Sequence, residues 1–297
     1  MDGERVVRVG ASDRSLHPYP DRLMARRDRM LLRSPFLCAM SSSIILITGA
    51  TSGFGEATAR LFAAHGWRVI ITGRRKDRLE ALRHELQGLH GSVEGPAIVH
   101  ALHFDVRDRK AVEQAIGSLP SEWSTIDVLV NNAGLAAGLS TVQEGDPDDW
   151  DRMVDTNFKG LLYVTKAVVP GMIARSRGHI VNIGSLAGKE AYPKGNVYCA
   201  TKFAVDALSK SMRIDLLPHG IKVTQIAPGM AETEFSAVRF QGDAARAKQV
   251  YQGMEPLRAE DIAELVLFVV KRPAHVCIND LVVTPTAQAN TTTVLRN

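Results

Sequence analysis

Tyr198 and Lys202 are the two side chains whose types and spacing most directly suggest acid–base chemistry. They lie four residues apart in a stretch that predicts a helix over 197–217, so both face the same side of that helix. A phenol titrates near ~10 and is a poor acid–base catalyst at neutral pH. An ammonium about 4 Å away, at an effective dielectric near ~20, would favour the phenolate by up to about 4 kcal/mol, or roughly three pKa units. We therefore expect Lys202 to lower the pKa of Tyr198.

A glycine-rich turn follows the first predicted strand. It reads Thr-Gly-Ala-Thr-Ser-Gly-Phe-Gly over 48–55, with glycines spaced differently from the standard dinucleotide fingerprint. Glycines allow a tight turn and a close approach of the backbone to a pyrophosphate, and the helix that follows points its amino end at the negative charge. The turn is therefore a candidate phosphate site, and a strand-to-helix connection that binds nothing is the alternative.

Two arginines follow the second predicted strand, where an NAD site would place an acidic residue to bind the ribose hydroxyls. The chain has Gly73, Arg74 and Arg75 there, and the first carboxylate is Asp77. A guanidinium favours a 2′-phosphate through charge-assisted, bidentate hydrogen bonds. This favours NADP over NAD, and two solvated arginines at the start of a helix are the alternative.

These residues need an element pattern that brings them together, and the hydrophobic pattern provides one. Short apolar runs predict strands at 44–48, 68–72, 98–104, 126–131, 179–184, 222–226 and 281–284. Amphipathic runs between them predict helices at 53–65, 76–87, 109–117, 148–158, 160–175, 197–217 and 259–270. Alternation of this kind predicts an α/β fold, a single Rossmann-type doubly wound parallel sheet with helices on both faces. Ligands bind such sheets at the carboxyl ends of the strands.

The motifs together resemble the short-chain dehydrogenase/reductase family over about residues 43–286. The resemblance is carried by the glycine turn, Asn-Asn-Ala-Gly at 131–134, Asn157, Ser185, Tyr-x-x-x-Lys at 198–202 and Pro-Gly at 228–229, which occur in order. It implies a catalytic set of Asn157, Ser185, Tyr198 and Lys202. Tyr198 would be the acid–base residue, Ser185 would stabilise the substrate oxygen, Lys202 would bind the nicotinamide ribose, and Asn157 would hold a water of the proton relay.

The resemblance also implies a cofactor site. Asp105 and Val106 match positions that contact adenine, Asn132 lies by the adenosine ribose, and Thr233 orients the carboxamide. The full set of expected NADP-binding residues is Gly49, Thr51, Ser52, Gly53, Phe54, Gly55, Arg74, Arg75, Asp105, Val106, Asn132, Ala133, Gly134, Tyr198, Lys202, Pro228, Gly229 and Thr233.

Within the family, Gly-Arg-Arg at 73–75, the stretch 232–240 and Arg-Pro-Ala-His at 272–275 resemble the NADP-dependent 3-hydroxy acid dehydrogenases. That group includes serine and allo-threonine dehydrogenases and malonic semialdehyde reductases, and is typically tetrameric. Its substrates carry a carboxylate, so we expect a cation at the site beside Ser185. Arg239 is the first candidate and Lys189 the second.

The composition of the chain argues against several other classes of function. Residues 1–40 hold eight arginines and five acidic residues, and we expect them to be a poorly ordered extension before a domain at 41–297. The remaining chain is nearly neutral, which argues against nucleic-acid binding. We find no membrane span and no metal site. Three cysteines without a C-x-x-C pair favour a cytoplasmic protein.

Other functions remain compatible with the sequence. The same chemistry would serve a ketoreductase of acyl thioesters, sulfoacetaldehyde, sugars or secondary metabolites. A regulator that binds NADP without turnover is a further alternative, against which the complete set of catalytic residues argues. Nucleic-acid binding through the basic residues before Met40 is the weakest alternative.

Overall fold

A parallel sheet forms the centre of the computed structural model, which describes residues 43–88, 98–240 and 242–297. Its strands are β1 (Ile44–Ile47), β2 (Arg68–Gly73), β3 (Val99–His103), β4 (Ile126–Asn131), β5 (Gly178–Ile183), β6 (Ile221–Pro228) and β7 (Asp280–Val283). All neighbours pair in parallel, in the order β3-β2-β1-β4-β5-β6-β7.

Helices connect the strands. They are α1 (Gly53–Ala64), α2 (Lys76–Gly88), α3 (Arg109–Gly117), α4 (Pro147–Val154), α5 (Leu161–Ala174), α6 (Asn196–Leu216), α7 (Glu234–Arg239), α8 (Ala244–Gln249) and α9 (Ala259–Val270). A π-helical segment, Asp155–Gly160, joins α4 to α5. Within the described ranges, no helix combines the length and apolar character that crossing a bilayer requires.

The sequence of β1 explains why helices cover both faces. All four of its residues are isoleucine or leucine and at most 2% exposed. Because side chains alternate along a strand, Ile45 and Ile47 enter the core against α1, α2 and α9, whereas Ile44 and Leu46 enter the core against α3, α5 and α6. The predicted doubly wound sheet is confirmed.

The direction of winding reverses at β1. From β1 the chain moves outward to β2 and β3, then returns to pair β4 on the other side of β1. A crevice opens where the connections leave in opposite directions, above the carboxyl ends of the strands. The predicted glycine turn and the Asn-Asn-Ala-Gly segment both lie at this point.

A buried polar network holds the central strand ends against the helices. Asn131 at the end of β4 donates from Nδ2 to Thr165 Oγ1 and to Asn182 Oδ1, both at 2.9 Å. Asn182, which is fully buried, donates from its own Nδ2 to Ser209 Oγ at 2.9 Å. The network thus fixes β4, α5, β5 and α6 relative to one another, and with them the loops that follow β4 and β5.

Most predicted elements lie within two residues of their observed bounds, and two features differ. The helices expected at 148–158 and 160–175 form one helical rod through the π-helical segment. α7 and α8 were not expected, because their short sequences have no sustained apolar periodicity. The extension at 1–40 lies outside the described residues, so it and the domain boundary at 41 stay predictions.

We expect His179 to make the stability of the fold depend on pH. The ring is 4% exposed, and burial, with a smaller contribution from Lys222, lowers its pKa from 6.5 to about 3. Thr224 donates its hydroxyl proton to Ile278 O, so the His179 Nε2–H donates to Thr224 Oγ1, at 2.8 Å. Between these two pKa values the unfolded chain binds the extra proton, so stability falls as pH falls from about 6.5 towards 3, by up to about 4 kcal/mol.

Urea unfolding from pH 7 to pH 4 at fixed protein concentration measures this effect. His179→Gln keeps a donor for Thr224 but does not titrate, so we expect it to remove most of the loss at low pH. The exposed His275→Gln is the matched control and should follow the wild type. Identical pH profiles for wild type and His179→Gln would contradict the assignment.

Candidate active site

A cavity of about 420 Å³ opens above the carboxyl ends of β1, β4, β5 and β6. Its walls come from segments far apart in the sequence: the glycine turn, the loops after β2, β3 and β4, the start of α6 and the strap over its mouth, by which we mean residues 233–239. The predicted residues that line it are Gly49, Thr51, Ser52, Gly53, Phe54, Arg74, Arg75, Asp105, Val106, Asn132, Ala133, Gly134, Ser185, Tyr198, Lys202, Pro228, Gly229, Thr233 and Arg239. Three predicted site residues, Gly55, Asn157 and Lys189, do not line it.

The glycine turn leaves no room for a side chain at Gly49 or Gly55. Gly49 has a φ of +66°, and a Cβ there would lie 2.9 Å from the Cα of Ala133. A Cβ on Gly55 would lie 2.5 Å from Gly49 O and from Asn132 Nδ2, so Gly55 serves the packing of the turn. Asn132 donates from Nδ2 to Thr48 O at 2.8 Å and to Gly49 O at 3.1 Å. The close-packed turn and the amino end of α1, whose N-cap Ser52 makes no side-chain capping hydrogen bond, fit the pyrophosphate of a dinucleotide.

The arginines after β2 stand at one end of this cavity. Arg75 donates from Nε and Nη2 to Thr51 Oγ1, and from Nη2 also to Thr51 O and Ser52 Oγ, so it is held against the glycine turn. Arg74 lies 3.6 Å from Asp105 and is 54% exposed. Asp105 is also bound by Arg107; although partial burial raises the pKa of Asp105, these hydrogen bonds and charges outweigh it and leave the pKa lowered. The donor set therefore fits an additional phosphate at this end.

Tyr198, Lys202 and Ser185 meet at the opposite end. The Nζ of Lys202 lies 5.9 Å from the centre of the Tyr198 ring and donates to Ile183 O at 3.0 Å. Both residues face one side of α6, as their spacing predicts. Ser185 begins the turn after β5, where its Oγ accepts from Ala187 N at 3.1 Å, and it lines the same cavity as Tyr198. The three side chains thus converge on one point of the cavity wall.

The Tyr198 pKa is raised and not lowered, so the expectation drawn from Lys202 was wrong in its net direction. Burial raises the pKa of Tyr198 above its usual value and Tyr192 adds to the rise, while the Ser185 hydrogen bond and the Arg239 charge oppose it. Burial also lowers the pKa of Lys202 to about 8. The expectation counted the attraction between the two charges and neglected the loss of hydration that each suffers. The phenol is therefore neutral in this state of the site.

Asn157 braces the site from behind. It is 2% exposed within the π-helical segment, a local geometry that often marks functional positions. Its Oδ1 accepts from Leu135 N at 2.8 Å, and its Nδ2 donates to Leu135 O at 2.8 Å and to Thr201 Oγ1 at 3.1 Å. It therefore joins the segment after β4 to α6 beside Tyr198 and Lys202. Its expected role in holding a water stays a prediction.

The two candidates for a substrate cation have different environments. Arg239 ends α7 with its guanidinium carbon 5.8 Å from the centre of the Tyr198 ring and 5.5 Å from that of Tyr192. Its Nε donates to Gly138 O at 3.2 Å. Lys189 instead binds the carboxylates of Asp206 and Asp280. The structure therefore supports Arg239 and does not bring Lys189 to the site, because two acidic residues hold it elsewhere.

Several lining residues had no signal in the sequence. Tyr192 packs its ring beside Arg239, and Gln288 reaches the cavity from near the carboxyl end of the chain, accepting from Met230 N at 2.8 Å. Glu234 lines the mouth beside Arg75. Tyr192 and Gln288 lie outside the recognised motifs, and Glu234 lies within the stretch 232–240 without having been singled out; tertiary contacts place all three. Tyr192 alone had a possible signal, because an aromatic residue six positions before Tyr198 lies near it in the chain.

The comparisons with known proteins agree with this geometry. The family model for short chain dehydrogenase matches residues 43–244. The NADP-dependent 3-hydroxy acid dehydrogenase of Salmonella typhi is 49% identical over 247 residues, which cover 83% of this chain and 96% of the relative. Sulfoacetaldehyde reductase 2 of Chromohalobacter salexigens is 49% identical over 249 residues, which cover 84% and 96%. The resemblance inferred from the motifs is confirmed.

A solved structure extends the likeness to three dimensions. The closed form of serine dehydrogenase complexed with NADP+ superposes with a TM-score of 0.79 at 46% sequence identity. The match covers 86% of this chain and 99% of the other.

We expect Asn157→Asp to destabilise the fold and the site together. A carboxylate in place of the amide removes the donor for Leu135 O and Thr201 Oγ1, and Thr201 already donates its proton to Tyr198 O. An unpaired buried charge of this kind costs about 3–5 kcal/mol. Urea unfolding measures the loss. The neighbouring Thr156→Val is the control, since its buried hydroxyl has no hydrogen-bond partner in the described part of the chain, and it should change stability by less than about 1 kcal/mol. Equal stability of the two variants would contradict the bracing role.

Proposed function

The chain belongs to the short chain dehydrogenase family, and we propose that it uses NADP to interconvert a 3-hydroxy acid and the corresponding 3-oxo acid or semialdehyde. Serine, allo-threonine and 3-hydroxypropionate are the substrate type. The predicted enzyme class, cofactor and substrate class are confirmed by the relatives, which are named as NADP-dependent dehydrogenases of 3-hydroxy acids and as a serine dehydrogenase complexed with NADP+. The observation that carries the proposal is that Tyr198, Ser185 and Arg239 face the same cavity as the glycine turn and Arg75.

The residues present fit NADP. The glycine turn would take the pyrophosphate, Arg74 and Arg75 would take the 2′-phosphate, and Asp105 and Val106 would border the adenine end. Asn132, Lys202 and Thr233 would hold the riboses and the carboxamide. The bound cofactor supplies or accepts the hydride at its nicotinamide ring.

The buried phenol moves the proton. In the reductive direction the neutral Tyr198 donates its proton to the substrate oxygen, and in the oxidative direction the phenolate accepts it. Because burial favours the neutral phenol, the structure is poised as a proton donor. Ser185 donates a hydrogen bond to the same substrate oxygen, and Lys202 supplies the positive charge that stabilises the phenolate when it forms.

Arg239 sets the substrate class. Its guanidinium lies over the Tyr198 and Tyr192 rings, where it takes the carboxylate of a substrate whose hydroxyl reaches Tyr198. A sulfonate carries the same single negative charge on oxygens that accept hydrogen bonds from a guanidinium, and sulfoacetaldehyde reductase 2 is as similar to this chain as the hydroxy acid enzyme is. Reduction of sulfoacetaldehyde is therefore the second candidate function.

We also propose a cytoplasmic homotetramer. Two separate apolar faces support four copies in D2 symmetry, which uses at least two kinds of interface. Phe203 and Ile214 are exposed at 43% and 74% on one face of α6, and Phe268 and Val282 at 43% and 51% on α9 and the edge strand β7. The odd number of cysteines supports a reducing compartment.

Purified protein should oxidise NADPH with malonic semialdehyde and reduce NADP+ with serine, both followed at 340 nm. Tyr198→Phe should lower kcat by at least about 10²-fold, because the proton donor is lost, with NADPH affinity retained. Tyr163→Phe, on α5 and away from the cavity, is the control and should keep wild-type rates. Full activity in Tyr198→Phe would overturn the mechanism, and NADPH binding without turnover of any carbonyl compound would favour a regulator.

Arg239→Ala should raise KM for 3-hydroxy acids by about 10- to 100-fold, the size of a lost charge-assisted hydrogen bond. The KM for the methyl ester of the same acid should change little, since it has no carboxylate to bind. Arg246→Ala, an exposed arginine that stacks on Phe240, should alter neither KM. Equal increases for acid and ester would show that Arg239 acts through the fold of the strap and not on the carboxylate.

A further inference from the structure

The strap crosses the mouth of the cavity and is anchored at both ends. At its start, a Cβ on Gly53 of the glycine turn would lie 3.3 Å from the Cβ of Thr233. At its end, the backbone and side chain of Arg239 both bond to Gly138, at 3.2 Å. One short element therefore touches the proposed phosphate site at its start and the proposed carboxylate site at its end.

Glu234 makes the ionic contact at the cofactor end. Its Oε2 lies 2.8 Å from Nη1 of Arg75, and its Oε1 lies 2.5 Å from Nη1 of Arg78. Partial burial raises the pKa of Glu234, but the hydrogen bonds from Arg75 and Arg78 outweigh burial and hold this pKa below its usual range. The carboxylate is therefore charged at neutral pH. A residue of the strap thus neutralises the arginine expected to bind the cofactor phosphate.

Because of the orientation of Arg75, the contact with Glu234 takes up the guanidinium nitrogen that an anion outside the glycine turn would bind. Its Nε and Nη2 are turned towards Thr51 and Ser52, so Nη1 is the nitrogen directed away from the glycine turn. Glu234 occupies that position. The pair is too exposed to add much to stability, at 41% and 43%, so its main consequence is for what else Arg75 can bind.

We propose that Glu234 is a specificity-determining residue that competes with the 2′-phosphate of NADP for Arg75. This inference rests on the proposed function. The Glu234 carboxylate at Nη1 lowers the affinity of Arg75 for a second anion. A phosphate that displaces this carboxylate frees the start of the strap from the glycine turn. Glu234 therefore weakens the binding of NADP but not of NAD, which has no 2′-phosphate, and couples cofactor binding to the element that carries Arg239.

Calorimetric titration of Glu234→Gln with NADP+ and NAD+ tests the proposal. Removal of the competing charge should lower the Kd for NADP+ by about 3- to 10-fold at low salt and leave the Kd for NAD+ within about twofold. The gain should shrink at about 0.5 M salt, because salt screens the interaction between exposed charges. Adenosine 2′,5′-bisphosphate and adenosine 5′-monophosphate, as probes without nicotinamide, should reproduce the NADP+ and NAD+ results respectively.

Glu232→Gln is the matched control. Glu232 is an exposed carboxylate two residues earlier that does not line the cavity, so its removal changes the net charge equally and should leave both Kd values within about twofold. Unchanged NADP+ binding in Glu234→Gln would overturn the proposal. Weaker NADP+ binding would also overturn it, because Glu234 would then be a partner that orients Arg75. Equal gains for NADP+ and NAD+ would overturn it as well. A wild-type protein that binds neither dinucleotide would instead overturn the proposed function.

Discussion

The site depends on the burial of a phenol and an ammonium in the same wall of one cavity. Lys202 and Tyr198 are both cut off from solvent, and each loses the hydration that would favour its charged form. In the described structure the backbone carbonyl of Ile183 holds the ammonium at 3.0 Å, and Ser185 meets the phenol. The phenol is thereby kept as a proton donor beside a cation. Formation of the phenolate then depends on the charges that a bound cofactor and substrate bring to the site.

The rest of the fold serves to hold that wall in place. Lys202 reaches Ile183 because α6 packs on the end of β5, and the chain of hydrogen bonds through Asn131 and Asn182 fixes the distance between them. Buried amides are costly unless their hydrogen bonds are satisfied, so this network specifies one arrangement of strands and helices where an apolar core would tolerate several. Asn157 extends the same constraint to the segment after β4.

The sequence was informative wherever a local pattern determines the structure. A run of buried aliphatic residues in β1, glycines at fixed intervals and a four-residue spacing between Tyr198 and Lys202 are all readable without coordinates. The depth of burial is not, because it depends on elements that pack from elsewhere in the chain. For this reason the direction of the Tyr198 pKa shift was predicted wrongly. Lys189 was a reasonable candidate by position, but its partners are 17 and 91 residues away.

The residues of the strap that are proposed to set specificity could not be predicted from local sequence patterns either. Its sequence carries no periodicity strong enough to predict a helix, and the residue that pairs with Arg75 lies 159 positions further along the chain. The strap is also packed against the site at its middle, since the centre of the Phe235 ring lies 5.6 Å from that of the Tyr198 ring and Ser236 is 5% exposed. A change at the exposed Glu234 therefore alters which anions Arg75 accepts, whereas a change at Phe235 or Arg239 also acts on the buried phenol. Selectivity thus depends on an element laid across the edge of the sheet, and that element contacts the same phenol that the core of the sheet positions.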